Sequence, residues 1–243
     1  HVSFKLKNEK EFRNFYENVL GLKTGFILKN KFDEDRIVYY QLNRHQFIEI
    51  FPENSTMQWP TYDGKSKEDR YSYQYATIGN GESTNIVKDP EGNQWVFNGG
   101  ERYISKITYH VNDLQKAKKF YSDLLMLDLL EDTAERVVVK FNDYQVVELL
   151  NKPYPDDNCT NDKGFCHFAL IVHDIVKEAR RLEGLGVQFY HGPKTFNIPY
   201  TEPYQAVKHT ENTYNFYLQD FDDNEIEIMG YTPESFQVVY YKD

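Results

Sequence analysis

The segment His1–Leu22, HVSFKLKNEKEFRNFYENVLGL, recurs in altered form at Lys106–Leu127, which reads KITYHVNDLQKAKKFYSDLLML. In both copies, residues that alternate as in a β-strand lead into apolar residues at the spacing of a helix. A Phe-Tyr pair begins at the same distance from the start of each copy, 15 − 1 = 14 and 120 − 106 = 14. A third copy, HFALIVHDIVKEARRLEGLGVQF, begins at His167, and the three copies continue into short alternating stretches that end in QFIEIF, QVVELL and EIEIMG. This repetition predicts a module of one strand, one helix and three further strands.

A fourth copy at Tyr73–Phe97, YQYATIGNGESTNIVKDPEGNQWVF, is too short to hold the whole module. Its first and last strands, marked by Tyr73 and Val96, are 96 − 73 = 23 residues apart, against 49 − 1 = 48, 148 − 106 = 42 and 227 − 167 = 60 in the others. We therefore predict an α+β fold of four βαβββ modules, the second eroded and without its helix. The modules would form two cupped, barrel-like mixed sheets. Along the chain, modules one and two occupy residues 1–100, and modules three and four occupy residues 101–243.

The composition narrows the range of partners. The formal net charge of −10 disfavours a nucleic-acid backbone, because binding one needs a basic surface. The apolar runs are far shorter than the ~20 residues that span a bilayer, so no membrane partner is expected. Two cysteines, Cys159 and Cys166, favour a cytoplasmic location, although export with a small Cys159–Cys166 loop stays open. We expect a small-molecule substrate and a monomer or homodimer.

Several motifs resemble those of the vicinal oxygen chelate superfamily, which includes glyoxalase I, extradiol ring-cleaving dioxygenases and antibiotic-resistance proteins. The motifs are FYENVLGL, FYSDLLML, IEIFP, DPEGNQWVF and DFDDNEIEIM, and they are spread over nearly the whole chain. The resemblance implies that two modules pair to form a cupped sheet around a divalent metal ion. Each module can then supply a His from the start of its first strand and a Glu from its last strand.

Carried over by position, the resemblance gives each module a pair of candidate ligand positions. In module order these are His1 and Glu49, Tyr73 and Val96, Lys106 and Glu148, and His167 and Glu227. The outer modules alone keep both ligands, so we predict that modules one and four pair, with pairing of modules three and four as the alternative. Glu148 is left over as a candidate salt-bridge partner for Lys106.

The four outer side chains, two imidazoles and two carboxylates, are ligands suited to Zn, Ni, Mn or Fe. Because both imidazoles must be neutral to bind, metal affinity is expected to fall as the pH drops through ~6.5. Five further side chains are candidates for contact with substrate: Lys5, His45, His173, Tyr39 and Tyr217. The first three share a strand face with a candidate ligand by alternation, and the tyrosines come from the stretches RIVYYQL and TYNFYLQ, which suit a cavity wall.

Two other features are interpreted more simply. The long polar stretch His191–Thr213, which includes His209, is either a solvated loop or a lid over the cup; the lid is considered because connections of this length are uncommon without a role. Cys166, next to His167 but on the opposite face of its strand, is expected to be neither a ligand nor a nucleophile.

Three functions are compatible with such a site. The first is a metal-dependent lyase or isomerase of the glyoxalase type, in which Glu227 or Glu49 acts as general base for a proton next to a carbonyl. The second is extradiol ring cleavage, which a face of two His and one carboxylate would suit. The third is a non-catalytic protein that sequesters an aromatic ligand. We favour the first; bound Fe would instead favour oxygenation.

Overall fold

The computed structural model describes residues 1–30, 32–52, 73–151, 165–189, 207–208, 213–222 and 224–240. The chain divides into two compact units, each assembled from separate stretches of sequence. Unit 1 comprises His1–Gly64, Cys166–Gln219 and Glu225–Asp243, and unit 2 comprises Lys65–Phe165 and Asp220–Asn224. Within the described residues, no helix has the length and apolar character needed to cross a membrane.

The elements follow the predicted order of modules. Module one has β1 (Val2–Leu6), α1 (Glu9–Arg13), a π-helical segment (Asn14–Val19), β2 (Lys23–Lys29), β3 (Asp35–Asn43) and β4 (Gln46–Pro52). Module two has β5 (Tyr73–Gly79), β6 (Asn85–Lys88) and β7 (Gln94–Gly99). Module three has β8 (Ile104–Val111), α2 (Leu114–Lys118), a π-helical segment (Lys119–Leu124), β9 (Asp128–Asp132), β10 (Arg136–Asn142) and β11 (Gln145–Asn151). Module four has β12 (Phe165–Ile171), α3 (Ile175–Gly184), β13 (Val207–Lys208), β14 (Tyr214–Gln219), β15 (Glu225–Gly230) and α4 (Phe236–Val239).

Each unit contains one mixed sheet. In unit 1 the strand order is β13-β14-β15-β12-β1-β4-β3-β2, so module four lies beside module one. In unit 2 the order is β6-β7-β5-β8-β11-β10-β9, which joins modules two and three. The predicted α+β fold with two cupped mixed sheets is confirmed. The barrels stay open, because the end strands of each order do not pair with one another among the described residues.

The compact units do not follow the division of the chain at residue 100. That division describes the order of the modules, whereas unit 1 combines an N-terminal with a C-terminal stretch. The first strand of a module is covered on one edge by its own last strand, as β1 is by β4. Its other edge needs a partner from another module, and for β1 that partner is β12, whose Ala169 amide donates to the carbonyl of His1 at 2.9 Å.

Module two lacks its helix, as predicted. The stretch from Tyr73 to Gly99 is described throughout and contains three strands and no helix. Strands β5 and β7 end together at Gly79 and Gly99, both with positive φ (+87° and +72°). A Cβ on Gly79 would lie 2.1 Å from the Gly99 carbonyl oxygen, so the strand ends approach more closely than any side chain would allow.

The core of module one explains how its first strand is oriented. Val2, Phe4 and Leu6 alternate along β1 and are completely buried. Asn8 is the N-cap of the following helix α1, and its side chain accepts from the Glu11 amide. Since alternate residues of a strand face opposite ways, the polar residues of β1 between these apolar ones are directed to the other face of the sheet.

Candidate metal centre

Two parallel strand pairs of unit 1 present the candidate ligands in the same way. Strand β1 pairs with β4 so that the residue two positions after His1 lies opposite Glu49. Strand β12 pairs with β15 so that the residue two positions after His167 lies opposite Glu227. Because residues two apart on a strand share a face, each imidazole lies on the same face of the sheet as its carboxylate.

The four side chains converge on one point in unit 1. The two imidazole Nε2 atoms of His1 and His167 are 3.2 Å apart. Glu227 Oε2 lies 2.9 Å from His1 Nε2 and 3.1 Å from His167 Nε2. Glu49 Oε2 lies 3.4 and 3.5 Å from the same two atoms. All four side chains are at most 5% exposed. The structure thus brings together the residues that sequence pairing of the outer modules selected.

These donor atoms fit a divalent metal ion. An ion held tetrahedrally at 2.0–2.1 Å has ligand atoms about 3.3 Å from one another. The distances between donor atoms in this cluster run from 2.9 to 3.5 Å. The donor set of two imidazole nitrogens and two carboxylate oxygens also matches what Zn, Ni, Mn and Fe accept. We therefore regard His1, Glu49, His167 and Glu227 as the residues that would hold the ion.

The two buried carboxylates of the cluster are stabilised by positive charge. Burial tends to raise the pKa of Glu227, but its contacts with His1 and His167 outweigh burial and hold that pKa well below its usual value. Burial tends to lower the pKa of His167, but the carboxylates of Glu227 and Glu49 raise it to about 10. In the metal-free protein the imidazole of His167 therefore stays positively charged near neutral pH. A divalent cation would supply the charge that the proton otherwise provides.

Each carboxylate is also held by a tyrosine from the neighbouring antiparallel strand. Tyr39 of β3 lies opposite Glu49 and donates its hydroxyl proton to Oε1 at 2.5 Å. Tyr217 of β14 lies opposite Glu227 and is hydrogen-bonded to it, and burial followed by the charge of Glu227 raises the pKa of Tyr217. Both tyrosines are buried, so the structure gives them contact with the carboxylates; contact with substrate stays a prediction.

Asn215 is a site residue that the sequence analysis missed. Its side-chain Nδ2 donates to Glu227 Oε1. It precedes Tyr217 by two positions on β14 and so shares its strand face, where it lies opposite Met229. The polar residue in TYNFYLQ at the same parity as the tyrosine was the signal that could have identified it.

Of the other predicted substrate contacts, Lys5 lies on a strand, whereas the two histidines lie outside strands. Lys5 is on β1, half-buried and on the face of His1. His45 is exposed in the turn before β4, and its amide donates to Asn43 Oδ1 at 2.9 Å. His173 is exposed in the bend after β12 ends. Alternation placed these two histidines on the strand face of the ligands, but each lies beyond the end of its strand, where alternation no longer applies.

Unit 2 repeats the arrangement with a different chemistry. Strand β8 pairs with β11 so that Thr108 lies opposite Glu148, which puts Lys106 in the position of an imidazole. Lys106 Nζ and Thr108 Oγ1 each donate to Glu148 Oε2 at 2.9 Å, and Arg136 donates to Oε1 at 3.2 Å. The predicted salt bridge between Lys106 and Glu148 is confirmed. In unit 2 the ammonium group of Lys106 neutralises Glu148. In unit 1 a metal ion would neutralise the carboxylates at the equivalent positions.

The position equivalent to His1 in module two is Tyr75, not Tyr73. Thr77 of β5 lies opposite Val96 of β7, and Tyr75 precedes Thr77 by two positions. The Lys106 ammonium lies over the Tyr75 ring, 5.6 Å from its centroid. The offset of two residues arose because the first strand was counted from Tyr73, whereas the pairing of β5 with β7 puts Thr77 opposite Val96.

Cys166 differs from its predicted placement. It is buried in one hydrophobic cluster with Tyr39 and Phe47, rather than being separated from that face of the sheet. Burial raises the pKa of its thiol well above the usual value, so the thiol stays protonated and is not a nucleophile at neutral pH. The proposed lid at His191–Thr213, apart from residues 207–208 and Thr213, lies outside the described residues, as does Cys159.

Comparison with known families agrees with this geometry. The sequence profile of the Glyoxalase/Bleomycin resistance protein/Dioxygenase superfamily matches residues 103–228, which is 228 − 103 + 1 = 126 of the 243 residues. The chain belongs to this superfamily. No curated protein sequence matches this superfamily member.

Solved structures share the fold of this superfamily member across its length. A Bacillus subtilis protein, named only provisionally as a dioxygenase, superposes with a TM-score of 0.69 at 14% identity, covering 100% of this chain and 89% of its own. Glyoxalase I from Zea mays superposes with a TM-score of 0.64 at 15% identity, covering 95% of this chain and 91% of its own. At such identities the similarity establishes the fold and leaves the reaction to be argued from the site.

Proposed function

We propose that this protein is a metal-dependent lyase or isomerase of the glyoxalase type, acting on a small substrate that chelates the ion through two adjacent oxygens. The observation that supports it is the cluster of His1, Glu49, His167 and Glu227, with donor atoms 2.9–3.5 Å apart and almost no solvent exposure. With two carboxylates in one buried cluster, one can remain bound to the ion while the other accepts a proton from the substrate.

In the proposed reaction the imidazoles hold the ion and a carboxylate transfers the proton. A bound divalent ion would act as a Lewis acid that polarises a substrate carbonyl and so acidifies the neighbouring C–H bond. His1 and His167 hold the ion in their neutral forms. One of the two carboxylates takes the proton from carbon, and the electron pair of the C–H bond passes to the carbonyl oxygen. The same carboxyl group then returns the proton to the former carbonyl carbon, while the substrate hydroxyl proton passes to the former carbonyl oxygen and the hydroxyl-bearing carbon becomes the new carbonyl. Atoms and electrons balance without an oxidant or reductant.

Ring-cleaving oxygenation is less well supported by this site. Non-haem iron oxygenases use two His and one carboxylate and leave the remaining positions open for oxygen and substrate. Here a second carboxylate lies within 3.5 Å of both imidazoles. A protein that only sequesters a ligand has no evident need for two buried carboxylates facing two imidazoles, because buried charge is costly unless it is neutralised.

The test measures metal content and proton exchange on the same preparation. Bound metals are quantified by mass spectrometry, and loss of the C–H signal next to a carbonyl is followed by NMR in D₂O. The substrates are α-hydroxy ketones and hemithioacetals of α-ketoaldehydes. We expect Zn or Ni and metal-dependent exchange, both abolished in His167→Ala and both retained in Lys106→Ala, whose side chain belongs to unit 2. Bound Fe with oxygen uptake in the presence of a catechol would instead establish a dioxygenase, and no metal at all would overturn the proposal.

A further inference from the structure

The two halves of the metal centre differ at the position two residues before the tyrosine. Tyr39 and Tyr217 support Glu49 and Glu227 in equivalent ways, each from the strand opposite. Two residues before Tyr217 stands Asn215, which donates to Glu227 Oε1. Two residues before Tyr39 stands Ile37, which is buried in a hydrophobic cluster and can donate nothing. Asn215 thus gives Glu227 a second donor besides Tyr217, whereas Glu49 has no counterpart to it at the equivalent position.

We propose that Asn215 is a positioning residue that fixes Glu227 as the permanent carboxylate ligand, so that Glu49 is the carboxylate that leaves the ion and accepts the substrate proton. This inference rests on the proposed function and assigns the base within it. The donor-atom distances agree with the assignment. Glu227 Oε2 lies 2.9 and 3.1 Å from the two imidazole nitrogens, whereas Glu49 Oε2 lies 3.4 and 3.5 Å from them.

The amide of Asn215 is oriented by Glu227 and by nothing else that the structure describes. Its Oδ1 is buried and has no hydrogen-bond partner among the described residues. Turning the amide over would place Oδ1 against the carboxylate oxygen, which is repulsive, so the NH₂ group is held toward Glu227. A buried amide with one unsatisfied end is unfavourable on its own. Its presence at this position is explained by the bond that it makes to the carboxylate.

The consequence concerns both metal affinity and chemistry. A carboxylate held by two neighbouring donors keeps its inner oxygen directed at the ion, and loss of such a partner weakens metal binding about 10–100-fold in metal proteins generally. Glu49, whose outer oxygen accepts from Tyr39 alone among the described residues, can swing away from the ion at smaller cost. The proton then moves from the substrate carbon to Glu49 Oε2, as the C–H electron pair passes to the carbonyl oxygen.

The experiment titrates Co²⁺, whose visible absorption reports ligand geometry, into the metal-free full chain and its variants. We expect Asn215→Ala and Asn215→Leu, one small and one close to the shape of Asn, to weaken Co²⁺ binding equally, about 10–100-fold. Ile37→Val is the matched control at the equivalent position and should leave the Kd unchanged. Circular dichroism and urea unfolding check that each variant is folded. If Asn215→Leu binds Co²⁺ as tightly as the unaltered protein, the inference is overturned.

The assignment of the base is tested with the two glutamates. Glu227→Gln should lose Co²⁺ binding more than 100-fold, whereas Glu49→Gln should bind Co²⁺ within about tenfold of the unaltered protein while losing C–H exchange. Equal losses of Co²⁺ binding, or exchange that survives in Glu49→Gln, would contradict the assignment yet leave the proposed function standing. Conversely, a protein that binds Co²⁺ with this pattern but catalyses no exchange would refute the proposed function and uphold the role of Asn215.

Discussion

Lys106 gives unit 2 an internal cation at the position that an imidazole occupies in unit 1. In unit 2 its ammonium group contacts Glu148 Oε2 at 2.9 Å, with Thr108 and Arg136 completing the hydrogen bonds of that carboxylate. Lys106 and Arg136 outweigh the burial of Glu148 and lower its pKa. Glu148 is thus stabilised in its charged form by the protein itself, and unit 2 has no need of a metal at this position.

The first prediction follows from that ion pair. Lys106→Met removes the closest cation from Glu148, whose side chain is 7% exposed, and should lower the free energy of unfolding by about 1–2 kcal/mol, since Lys106 itself is 30% exposed and partly screened. Adding Glu148→Gln should recover most of the loss, because no buried charge then remains. Urea unfolding of both single variants and the double variant measures the coupling. Independent, additive effects would show that the pair contributes nothing.

The second prediction concerns the proton on His167. The pKa of this imidazole is about 10 in the folded metal-free protein, above the ~6.5 of a free histidine. Its protonation therefore stabilises the fold fully below ~6.5, and this stabilisation is lost as the pH rises toward 10. Metal needs the neutral ring, so metal affinity should rise about tenfold per pH unit over the same interval rather than level off near 6.5.

Calorimetry detects this exchange of proton for metal directly. Zn²⁺ is titrated at pH 8 in buffers with different heats of ionisation, and we expect about one proton released per ion bound. The same titration on Glu227→Gln should release fewer protons, because the hydrogen bond to Glu227 is the largest of the interactions that raise the pKa of His167 against its burial. Heats that do not depend on the buffer would mean that His167 is already neutral and that the carboxylates do not control its protonation.

At the scale of elements, module two shows how strand ends close when the helix is missing. Gly79 and Gly92 both have a φ of +87°, so both favour glycine for the same backbone reason. A Cβ on Gly79 would lie 2.1 Å from the Gly99 carbonyl oxygen, whereas a Cβ on Gly92 would meet nothing within 4 Å. An alanine at position 92 would therefore show the cost of backbone strain alone, whereas an alanine at position 79 would add the cost of a steric clash.

The third prediction compares these two positions. Gly92→Ala should lower the free energy of unfolding by about 1 kcal/mol, the lower end of the cost of a left-handed L-residue. Gly79→Ala should lower it by about 3 kcal/mol or more, because the backbone of β5 and β7 must also move apart. Thermal and urea unfolding of the two variants side by side provide the measurement. Similar losses in both would show that the ends of β5 and β7 separate easily.

The sequence predicted the elements better than their internal geometry. The Phe-Tyr repeat located the helices of modules one and three, but it did not show that each becomes π-helical in its second half. That change is defined by bonds from the Leu20 amide to the Phe15 carbonyl at 2.9 Å and from the Leu125 amide to the Phe120 carbonyl at 3.0 Å. Each π-helical segment is only six residues long, little more than one turn, so periodicity cannot distinguish it from a continued α-helix. Likewise, the register of β5 against β7, which makes Tyr75 the counterpart of His1, has no signature in residue type.

For the whole molecule, the decisive information in the sequence was which modules retain a complete ligand pair. This predicted the joining of modules one and four, which the strand order of unit 1 shows. Asn215 could not be predicted in this way, because its role depends on a carboxylate that is distant until β14 and β15 pair. The strand-face placement of His45 and His173 was wrong for the opposite reason, since strand alternation was extended beyond the ends of the strands; their contact with substrate stays a prediction.

The fourth prediction uses the two units as an internal comparison. Binding of Zn²⁺ should slow hydrogen exchange in unit 1, in peptides that cover β1, β4, β12 and β15, because the ion stabilises only the state in which their donors converge. Peptides from β8 and β11 of unit 2 serve as the control and should exchange unchanged, since Lys106 occupies the equivalent position there. Mass spectrometry resolves the two sets, and equal protection of both would place metal outside the proposed centre.

The assembly of one centre from the first and fourth modules also fixes when it can form during synthesis. The continuous part of unit 2 ends at Phe165, while the last candidate ligand, Glu227, follows 227 − 165 = 62 residues later. At about 5–20 residues per second, that interval on the ribosome is about 3–12 s. During this interval β1 cannot pair with β12, which has not yet been synthesised, so His1 and Glu49 stay uncovered. Modules two and three, by contrast, can already pair through β5 and β8. A nascent chain that stalls after module three would therefore expose an unpaired strand edge and half a metal site, both of which a chaperone or a premature ion could capture.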